Sequence, residues 1–240
     1  MRLNDFKALT FDCYGTLIDW ESGILAAFGP WRKRTGVAPD DNRLLELFAD
    51  EESRIQSEQP SMLYPDVLSL GLQRMGEKLK APPTPEESRA FGQSVKDWPA
   101  FPDSAKALAY LKKHYKLVIL SNIDRTSFGH SNKKLGVTFD AVVTAQDVGC
   151  YKPALRHFEV GLEKLAKMGV PKDKVLHTAQ SLFHDHVPGK KMGLTTMWIN
   201  RRAGKSGGGA TKAPPVAVKP DGEVPSMAAL VELHRRESSA

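Results

Sequence analysis

The chain has 240 residues, of which 41% are hydrophobic, and its formal net charge is +6. This length and composition suit one α/β domain, or a core with a smaller insertion, and they exclude a disordered chain. The basic residues are spread along the chain without interleaved aromatic residues, so we expect a solvated surface rather than a nucleic-acid interface.

The cysteines and the N-terminus indicate the compartment. Cys13 and Cys150 form no CxxC pair, which leaves a zinc site or a redox motif unsupported. The low count is typical of a reducing compartment, and the first residues lack the apolar run of a signal peptide. No stretch reaches the ~20 apolar residues that a membrane helix needs. We therefore expect a cytoplasmic protein without a membrane or nucleic-acid partner.

The first predicted element is a buried strand in the stretch Lys7 to Leu17, which begins as an apolar run. Gly15 then turns the chain. Asp12 falls at the carboxyl end of this strand, and in open α/β sheets ligands bind at that edge. A carboxylate held there can act as a nucleophile. The alternative is an Asx turn that only ends the strand.

The next segment, residues 20–100, carries apolar residues at helical spacing and is interrupted by prolines. It is far longer than a βα connection needs. We predict a helical cap over residues 20–100, inserted into a core of residues 1–19 and 101–240. The alternative is one crossover helix followed by irregular loops.

From Phe101 onward, predicted strands and helices alternate. Strands alternating with helices favour an α/β fold with a Rossmann-like parallel sheet and right-handed crossovers. The segment from Gly204 to Pro220 is rich in Gly, Lys and Pro, which predicts a loose surface loop. Met227 to Leu233 predicts a final helix.

Four residues whose side chains could take part in a reaction occur in order at predicted strand ends and loop junctions: Asp12, Ser121, Lys152 and Asp185. Their order and local sequence resemble the haloacid dehalogenase superfamily of hydrolases. The Asp-x-Tyr-Gly-Thr form of the first motif is similar to the subfamily that acts on short 2-haloacids. The resemblance extends from Ala8 to about Ile199, and it implies a Rossmann-like core with a helical cap.

The resemblance implies a role for each residue of the catalytic group. Asp12 would attack carbon in an in-line displacement, and Lys152 would supply the cation that its ionised form needs. Thr16 would donate a hydrogen bond to Asp12, and Asp185 would hold Lys152. The alternatives are a solvated loop lysine for Lys152, a helix cap for Thr16, and a charge favoured by the helix dipole for Asp185.

Other residues are candidates for holding the substrate. Ser121 and Asn122 can bind a substrate carboxylate or the leaving group, or they can simply end their strand. Phe48 and Tyr64 are, with Trp20, the predicted apolar lining on the cap side. The commoner role of an aromatic residue at helical spacing is packing within a core.

Tyr14, a further residue expected to contact substrate, helps to choose the reaction. Phosphatases of the resembled superfamily carry an aspartate there as general acid, and a tyrosine with a pKa of ~10 replaces it poorly near neutral pH. Displacement at carbon without a cofactor is therefore favoured. The runner-up is a magnesium-dependent phosphatase, with Asp12, the Tyr14 carbonyl and Asp185 as oxygen ligands. A non-catalytic binding protein on this fold is the third reading.

The sequence also departs from the 2-haloacid pattern. That subfamily uses a cap arginine to hold the departing halide, whereas the corresponding segment here, Leu44 to Glu52, is acidic. A weaker halide site built from Asn122 and apolar side chains is the expected substitute. We expect a small anionic organic substrate, and a homodimer is left open.

Overall fold

A six-stranded parallel sheet forms the centre of the molecule, in the order β3-β2-β1-β4-β5-β6. The structure, a computed structural model, describes residues 1–204 and 209–239. The predicted α/β, Rossmann-like class is confirmed, and the short edge strand β6 was not predicted. The strands are β1 (Ala8–Phe11), β2 (Lys116–Ser121), β3 (Ala141–Thr144), β4 (Val175–Ala179), β5 (Thr195–Ile199) and β6 (Gly222–Val224).

Strand β1 lies between β2 and β4, with Leu9 in register with Leu117 on one side and Leu176 on the other. All four of its residues are buried. A parallel strand covered on both faces has no solvent side, which explains why its residues do not alternate between apolar and exposed polar ones.

Within the described residues, six α-helices accompany the sheet, and they connect or flank its strands. They are α5 (Ser104–Leu111), α6 (Arg125–Leu135), α7 (Ala145–Val148), α8 (Arg156–Lys167), α9 (Val187–Lys191) and α10 (Met227–Ser238). A π-helical turn, Leu182–His186, precedes α9 directly. Such turns are rare and frequently lie at functional sites.

Four consecutive helices separate β1 from α5, and we call residues 20–97 the helical insertion. These helices are α1 (Trp20–Thr35), α2 (Asp41–Glu58), α3 (Tyr64–Lys78) and α4 (Pro85–Gly92), and a 3-10 turn, Ser94–Asp97, follows them.

The insertion leaves the core and returns to it at neighbouring points. Ile18 forms an isolated antiparallel bridge with Ala100, and the backbone N–H of Asp19 donates to the carbonyl of Pro99 at 2.8 Å. Because this connection lies just after Asp12, the insertion stands at the carboxyl edge of the sheet.

The predicted loose loop, Gly204 to Pro220, is not loose throughout. Residues 205–208 of this prediction lie outside the described residues. Ala210 is buried, and its N–H donates to the Glu21 carboxylate at 2.9 Å. The Thr211 hydroxyl donates to Gln180 Oε1 at 3.0 Å. These hydrogen bonds fix the segment against α1 of the insertion and against Gln180 of the core, despite its glycine-rich composition. Within the described ranges, no helix is both long and apolar enough to cross a membrane.

Gly23 allows α1 to lie against Trp98, since a Cβ at this position would come within 2.4 Å of the Trp98 ring. We expect Gly23→Ala to lower the free energy of unfolding by about 1–3 kcal/mol because it overpacks this contact. Gly129→Ala, on the exposed face of α6 with nothing within 4 Å, is the control. It should raise stability by up to about 1 kcal/mol through helix propensity. Urea unfolding measures both, and equal stabilities for the two variants would contradict this packing.

Candidate active site

Asp12 follows β1 directly, at the carboxyl edge of the sheet, and its N–H donates to the carbonyl of Thr178 in β4. A cavity opens there between the core and the helical insertion. Part of this cavity is open to solvent. Its lining residues are Asp12, Tyr14, Trp20, Glu52, Gln56, Tyr64, Ser121, Asn122, Lys152, Gln180, Ser181, His184, Asp185 and Thr211.

Lys152 is only 1% exposed, and its ammonium group lies at the centre of the site. It donates to Asp12 Oδ1 at 3.0 Å, to Asp185 Oδ1 at 2.7 Å and to the carbonyl of Leu120 at 2.8 Å. All three N–H groups of the ammonium ion therefore have an acceptor. The structure thus joins Asp12, Lys152 and Asp185, which are far apart in the sequence, in one buried cluster.

The surroundings of this cluster shift the pKa values of its two carboxyl groups in opposite directions. Burial raises the pKa of Asp12, although Lys152 opposes the shift. Burial acts on Asp185 in the same direction, but Lys152 and His177 outweigh it and hold the pKa of Asp185 well below its usual value. Burial alone would lower the pKa of Lys152, yet the two carboxylates keep that pKa above normal. Asp12 is therefore the more basic carboxylate and the better nucleophile of the two.

Two hydroxyl- or nitrogen-bearing side chains orient the carboxylates. Thr16 donates to Asp12 Oδ2 at 2.8 Å, and its oxygen accepts the N–H of Gln180 at 2.9 Å. His177 Nε2 lies 3.1 Å from Asp185 Oδ1, and its Nδ1 lies 2.9 Å from the hydroxyl of Thr10. Because an ionised carboxylate can only accept, the hydrogen on Nε2 points at Asp185.

Ser121 and Asn122 both line the cavity, but their side chains differ in their hydrogen bonding. Ser121 Oγ is buried and has no hydrogen-bond partner among the described residues. Asn122 is already engaged, since its Oδ1 accepts the N–H of Lys152 at 2.6 Å and its Nδ2 donates to the carbonyl of Lys152 at 3.1 Å. Asn122 therefore positions the backbone of Lys152, a contact that was not predicted from the sequence.

The insertion contributes Trp20, Glu52, Gln56 and Tyr64 to the cavity wall. Phe48 is a correction to the predicted lining, because the structure does not bring it to the cavity. It is fully buried inside the insertion, with its ring centroid 6.2 Å from that of Phe28 and 5.8 Å from that of Phe91. Phe48 belongs to the apolar face of α2 that packs against neighbouring helices.

Tyr14 lies at the cavity wall, and its hydroxyl is 2.8 Å from the hydroxyl of Ser131 on α6. Burial raises the pKa of Tyr14 well above its ordinary value. A phenol that keeps its proton more firmly and already has a hydrogen-bond partner is a poor proton donor to a leaving group.

Glu52 and His177 are two of several residues of the site that were not predicted from the sequence; the others are Gln56, Gln180, Ser181, His184 and Thr211. Glu52 is 4% exposed, and its Oε1 accepts the hydroxyl of Tyr64 at 2.6 Å. Burial raises the pKa of Glu52 to about 7, while the Tyr64 bond opposes the rise. The sequence contains a pattern that could have identified each of them. Glu52 follows Phe48 by four residues on one helical face, and His177 is a polar residue in an apolar strand.

The donor set does not fit a magnesium centre. Asp12 uses both carboxylate oxygens, one toward Lys152 and the other toward Thr16. Asp185 Oδ1 is shared by Lys152 and His177, which leaves Asp185 Oδ2 as the one unpartnered carboxylate oxygen of the pair. The described residues also contain no cluster of three His, Cys, Asp or Glu side chains able to hold a metal ion.

A comparison with protein families decides the classification. Residues 6–178 match the sequence profile of the haloacid dehalogenase-like hydrolases. The chain belongs to this family of hydrolases. The predicted superfamily is thereby confirmed, and the matched range contains Asp12, Ser121 and Lys152. No curated protein sequence matches the chain.

Solved structures show that the haloacid dehalogenase-like fold extends over almost the whole chain. An L-2-haloacid dehalogenase from Xanthobacter autotrophicus is 21% identical, with a TM-score of 0.76 over 96% of this chain and 98% of that one. A second L-2-haloacid dehalogenase is 23% identical, with a TM-score of 0.77 over 96% and 99%. YfnB of Bacillus subtilis, a HAD-hydrolase bound to magnesium, is 15% identical, with a TM-score of 0.76 over 98% and 100%. At these identities the likeness shows the fold alone.

The buried Glu52 should make stability depend on pH. Its pKa of about 7 in the folded state exceeds the ordinary value of 4.5, so the folded state binds the proton more tightly. The contribution of protonated Glu52 to the free energy of unfolding is fully present below pH 4.5 and is lost as the pH rises through 7. Above pH 7 the ionised form costs about 3 kcal/mol.

Glu52→Gln removes this dependence and retains an oxygen that accepts the Tyr64 hydroxyl. The free energy of unfolding of the variant, relative to the parent, should therefore rise by about 3 kcal/mol between pH 4 and pH 8. Urea unfolding at both pH values measures it. Glu46→Gln, a change on the surface of the same helix, should follow the parent, and a constant difference between E52Q and the parent would contradict the burial of an ionisable Glu52.

Proposed function

We propose that this hydrolase cleaves the carbon–halide bond of short 2-haloacids through an ester formed on Asp12. The observation that carries the proposal is the Lys152 ammonium group, which touches Asp12 and Asp185 while Asp12 borders the cavity. Lys152 favours the ionised form of Asp12 in a desolvated place, where a carboxylate is a stronger nucleophile than in water.

In the first step, one Oδ atom of Asp12 attacks the carbon that carries the halogen, and the carbon–halogen bond breaks as the ester bond forms. An in-line displacement sends the halide away from Asp12. Since Asp12 lies on the core side of the cavity, the halide departs toward the insertion. In the second step, water hydrolyses the ester, which releases the 2-hydroxyacid and restores Asp12.

Ser121 is the residue we assign to the substrate carboxylate. Its hydroxyl lines the cavity, is buried and lacks a partner in the described part of the chain. A buried hydroxyl without a partner is costly, and a bound carboxylate would satisfy it. We therefore propose a small anionic organic substrate, and Lys152 adds positive charge close to the same wall.

The helical insertion serves, in this proposal, as a cap that closes the site. Trp20 and Tyr64 supply apolar surface to the cavity, and Tyr64 and Trp98 contact each other edge-to-face with centroids 6.4 Å apart. Closing a site in this way excludes water from the first step, where water would solvate the nucleophile.

Phosphate ester hydrolysis is the competing activity, and the site lacks two of its parts. Tyr14 stands where a carboxylic acid would protonate the leaving alcohol, and the carboxylates present do not fit a magnesium ion. We therefore propose that the reaction proceeds without a metal cofactor.

A panel of 2-haloacids and phosphate monoesters, assayed with and without EDTA, tests the proposed function. We expect halide release from the 2-haloacids, unaffected by EDTA. Asp12→Asn should lower kcat by at least 10⁴-fold, on the order of the loss when a catalytic nucleophile is removed. The control is Asp173→Asn, which is exposed and lies before β4 at the opposite edge of the sheet.

Circular dichroism and urea unfolding should show that both variants fold. Near-parental turnover by D12N would exclude the ester mechanism. Phosphate release that EDTA abolishes and magnesium restores would instead establish the phosphatase.

A further inference from the structure

The leaving group departs toward the insertion, so the residues there determine how its charge is stabilised. The insertion presents three polar side chains to the cavity: Glu52, Gln56 and Tyr64. Among the described residues that line this cavity, Lys152 is the one Lys or Arg, and it lies on the core side with Asp12. A departing anion therefore meets a carboxyl group and an amide instead of a cationic side chain.

The geometry of Glu52 suits it to donate a proton. The Tyr64 hydroxyl donates to Oε1 at 2.6 Å, which makes Oε1 the acceptor and places the acidic proton of the neutral form on Oε2. Oε2 forms no hydrogen bond with any described residue, and Glu52 lines the cavity. The carboxyl group has no Lys or Arg partner in the described ranges, in contrast to its neighbour Glu51, which pairs with Lys78.

We propose that Glu52 donates a proton to the leaving atom, and that the site thereby selects substrates whose leaving atom accepts a proton, 2-fluoroacids above 2-bromoacids. This inference rests on the proposed function, since it needs Asp12 to attack carbon. It assigns to the cap a role that the acidic composition of α2 did not reveal in the sequence.

The proton and electron balance of the step is complete. As the Asp12 oxygen forms its bond to carbon, the carbon–fluorine electron pair leaves with fluorine, and the proton of Glu52 transfers to it, so that hydrogen fluoride departs and Glu52 is left ionised. Water then adds its oxygen to the acyl carbon of Asp12, and the bond from that carbon to the substrate oxygen breaks. One proton of the water goes to the 2-hydroxyacid and the other restores Glu52, so Asp12 is again an ionised carboxylate. Bromide, a far weaker base, leaves without needing the proton.

The protonation state of Glu52 agrees with this role. With a pKa of about 7, set by burial, half of the carboxyl groups carry the proton near neutral pH, where a general acid is most effective. The titratable groups that face it are Tyr64 from α3, Tyr14 and Tyr151 from the core, and Asp12, Lys152, His184 and Asp185 across the cavity. Burial lowers the pKa of His184 to about 4, so this imidazole is neutral where Glu52 titrates.

Paired substrates test the inference. kcat/KM is measured for 2-fluoropropionate and for 2-bromopropionate from pH 5 to 9. In the parent, the fluoride reaction should decline as the pH rises through 7, and the bromide reaction should decline less. Glu52→Gln should lower the fluoride-to-bromide ratio of kcat/KM by about 10²-fold or more, the usual contribution of a general acid. Glu46→Gln, on the outer surface of α2, should keep the parental ratio and profile.

Tyr64→Phe supplies an independent readout, since the Tyr64 bond lowers the pKa of Glu52. Loss of this bond should move the alkaline decline of the fluoride reaction to higher pH, a shift that a purely structural role would not produce. If E52Q fails to fold, this shift decides the inference. A decline that stays at the parental pH in Y64F, or an unchanged substrate ratio in a folded E52Q, overturns it. Turnover of neither acid by the parent would overturn the proposed function itself.

Discussion

The burial of one ammonium group between two carboxylates is the constraint on which the rest of this site depends. Removing three charges from water is costly, and their mutual attraction offsets the cost only when the geometry satisfies every donor. Lys152 meets this condition with Asp12, Asp185 and the carbonyl of Leu120. Loss of either side of the cluster would leave a buried charge uncompensated, which typically costs about 3–5 kcal/mol.

Several elements of the fold converge to keep this cluster in place. Strand β1 delivers Asp12, the end of β2 supplies the Leu120 carbonyl, and Asn122 fixes the backbone of Lys152 from both sides. The π-helical turn after β4 carries Asp185, which His177 holds from within β4 itself. The sheet thus provides rigid attachment points, and the carboxylate that must react is the one that borders the cavity.

The core and the helical insertion contribute opposite electrostatic features to the cavity. The core carries a charged cluster whose single cation serves the nucleophile. The insertion carries Glu52, a carboxyl group that burial keeps partly neutral near pH 7 and that a tyrosine orients. In the proposed reaction, the core performs the displacement, and the insertion determines which leaving atom departs readily.

Much of the fold was predictable because parallel strands end at the same edge of a sheet. Asp12, Ser121 and the residues after Ala179 each follow an apolar strand, so their proximity follows from topology. The fate of Phe48 was not predictable in this way. Helical periodicity identifies a buried face, but it does not tell which part of that face meets other helices and which part meets a cavity.

The contacts of residues that can serve either of two roles could not be predicted from the sequence either. Asn122 ends a strand near the cavity, yet its amide is occupied by the backbone of Lys152, a choice that depends on the distance between two loops. The segment at Ala210 and Thr211 has the composition of a loose loop, but it is fixed by Glu21 and Gln180, which lie about 190 and 31 residues away in the sequence.

The measurement that tests the central claim most directly is a single-turnover reaction in ¹⁸O-labelled water, with enzyme in excess over 2-bromopropionate. If Asp12 forms an ester that water then hydrolyses, the product takes its new oxygen from Asp12. The label should then appear in the Asp12 carboxylate, in a peptide identified by mass spectrometry, and the 2-hydroxyacid should be unlabelled. Label in the 2-hydroxyacid and none in Asp12 would show that water attacks carbon directly, which contradicts the role assigned to Asp12.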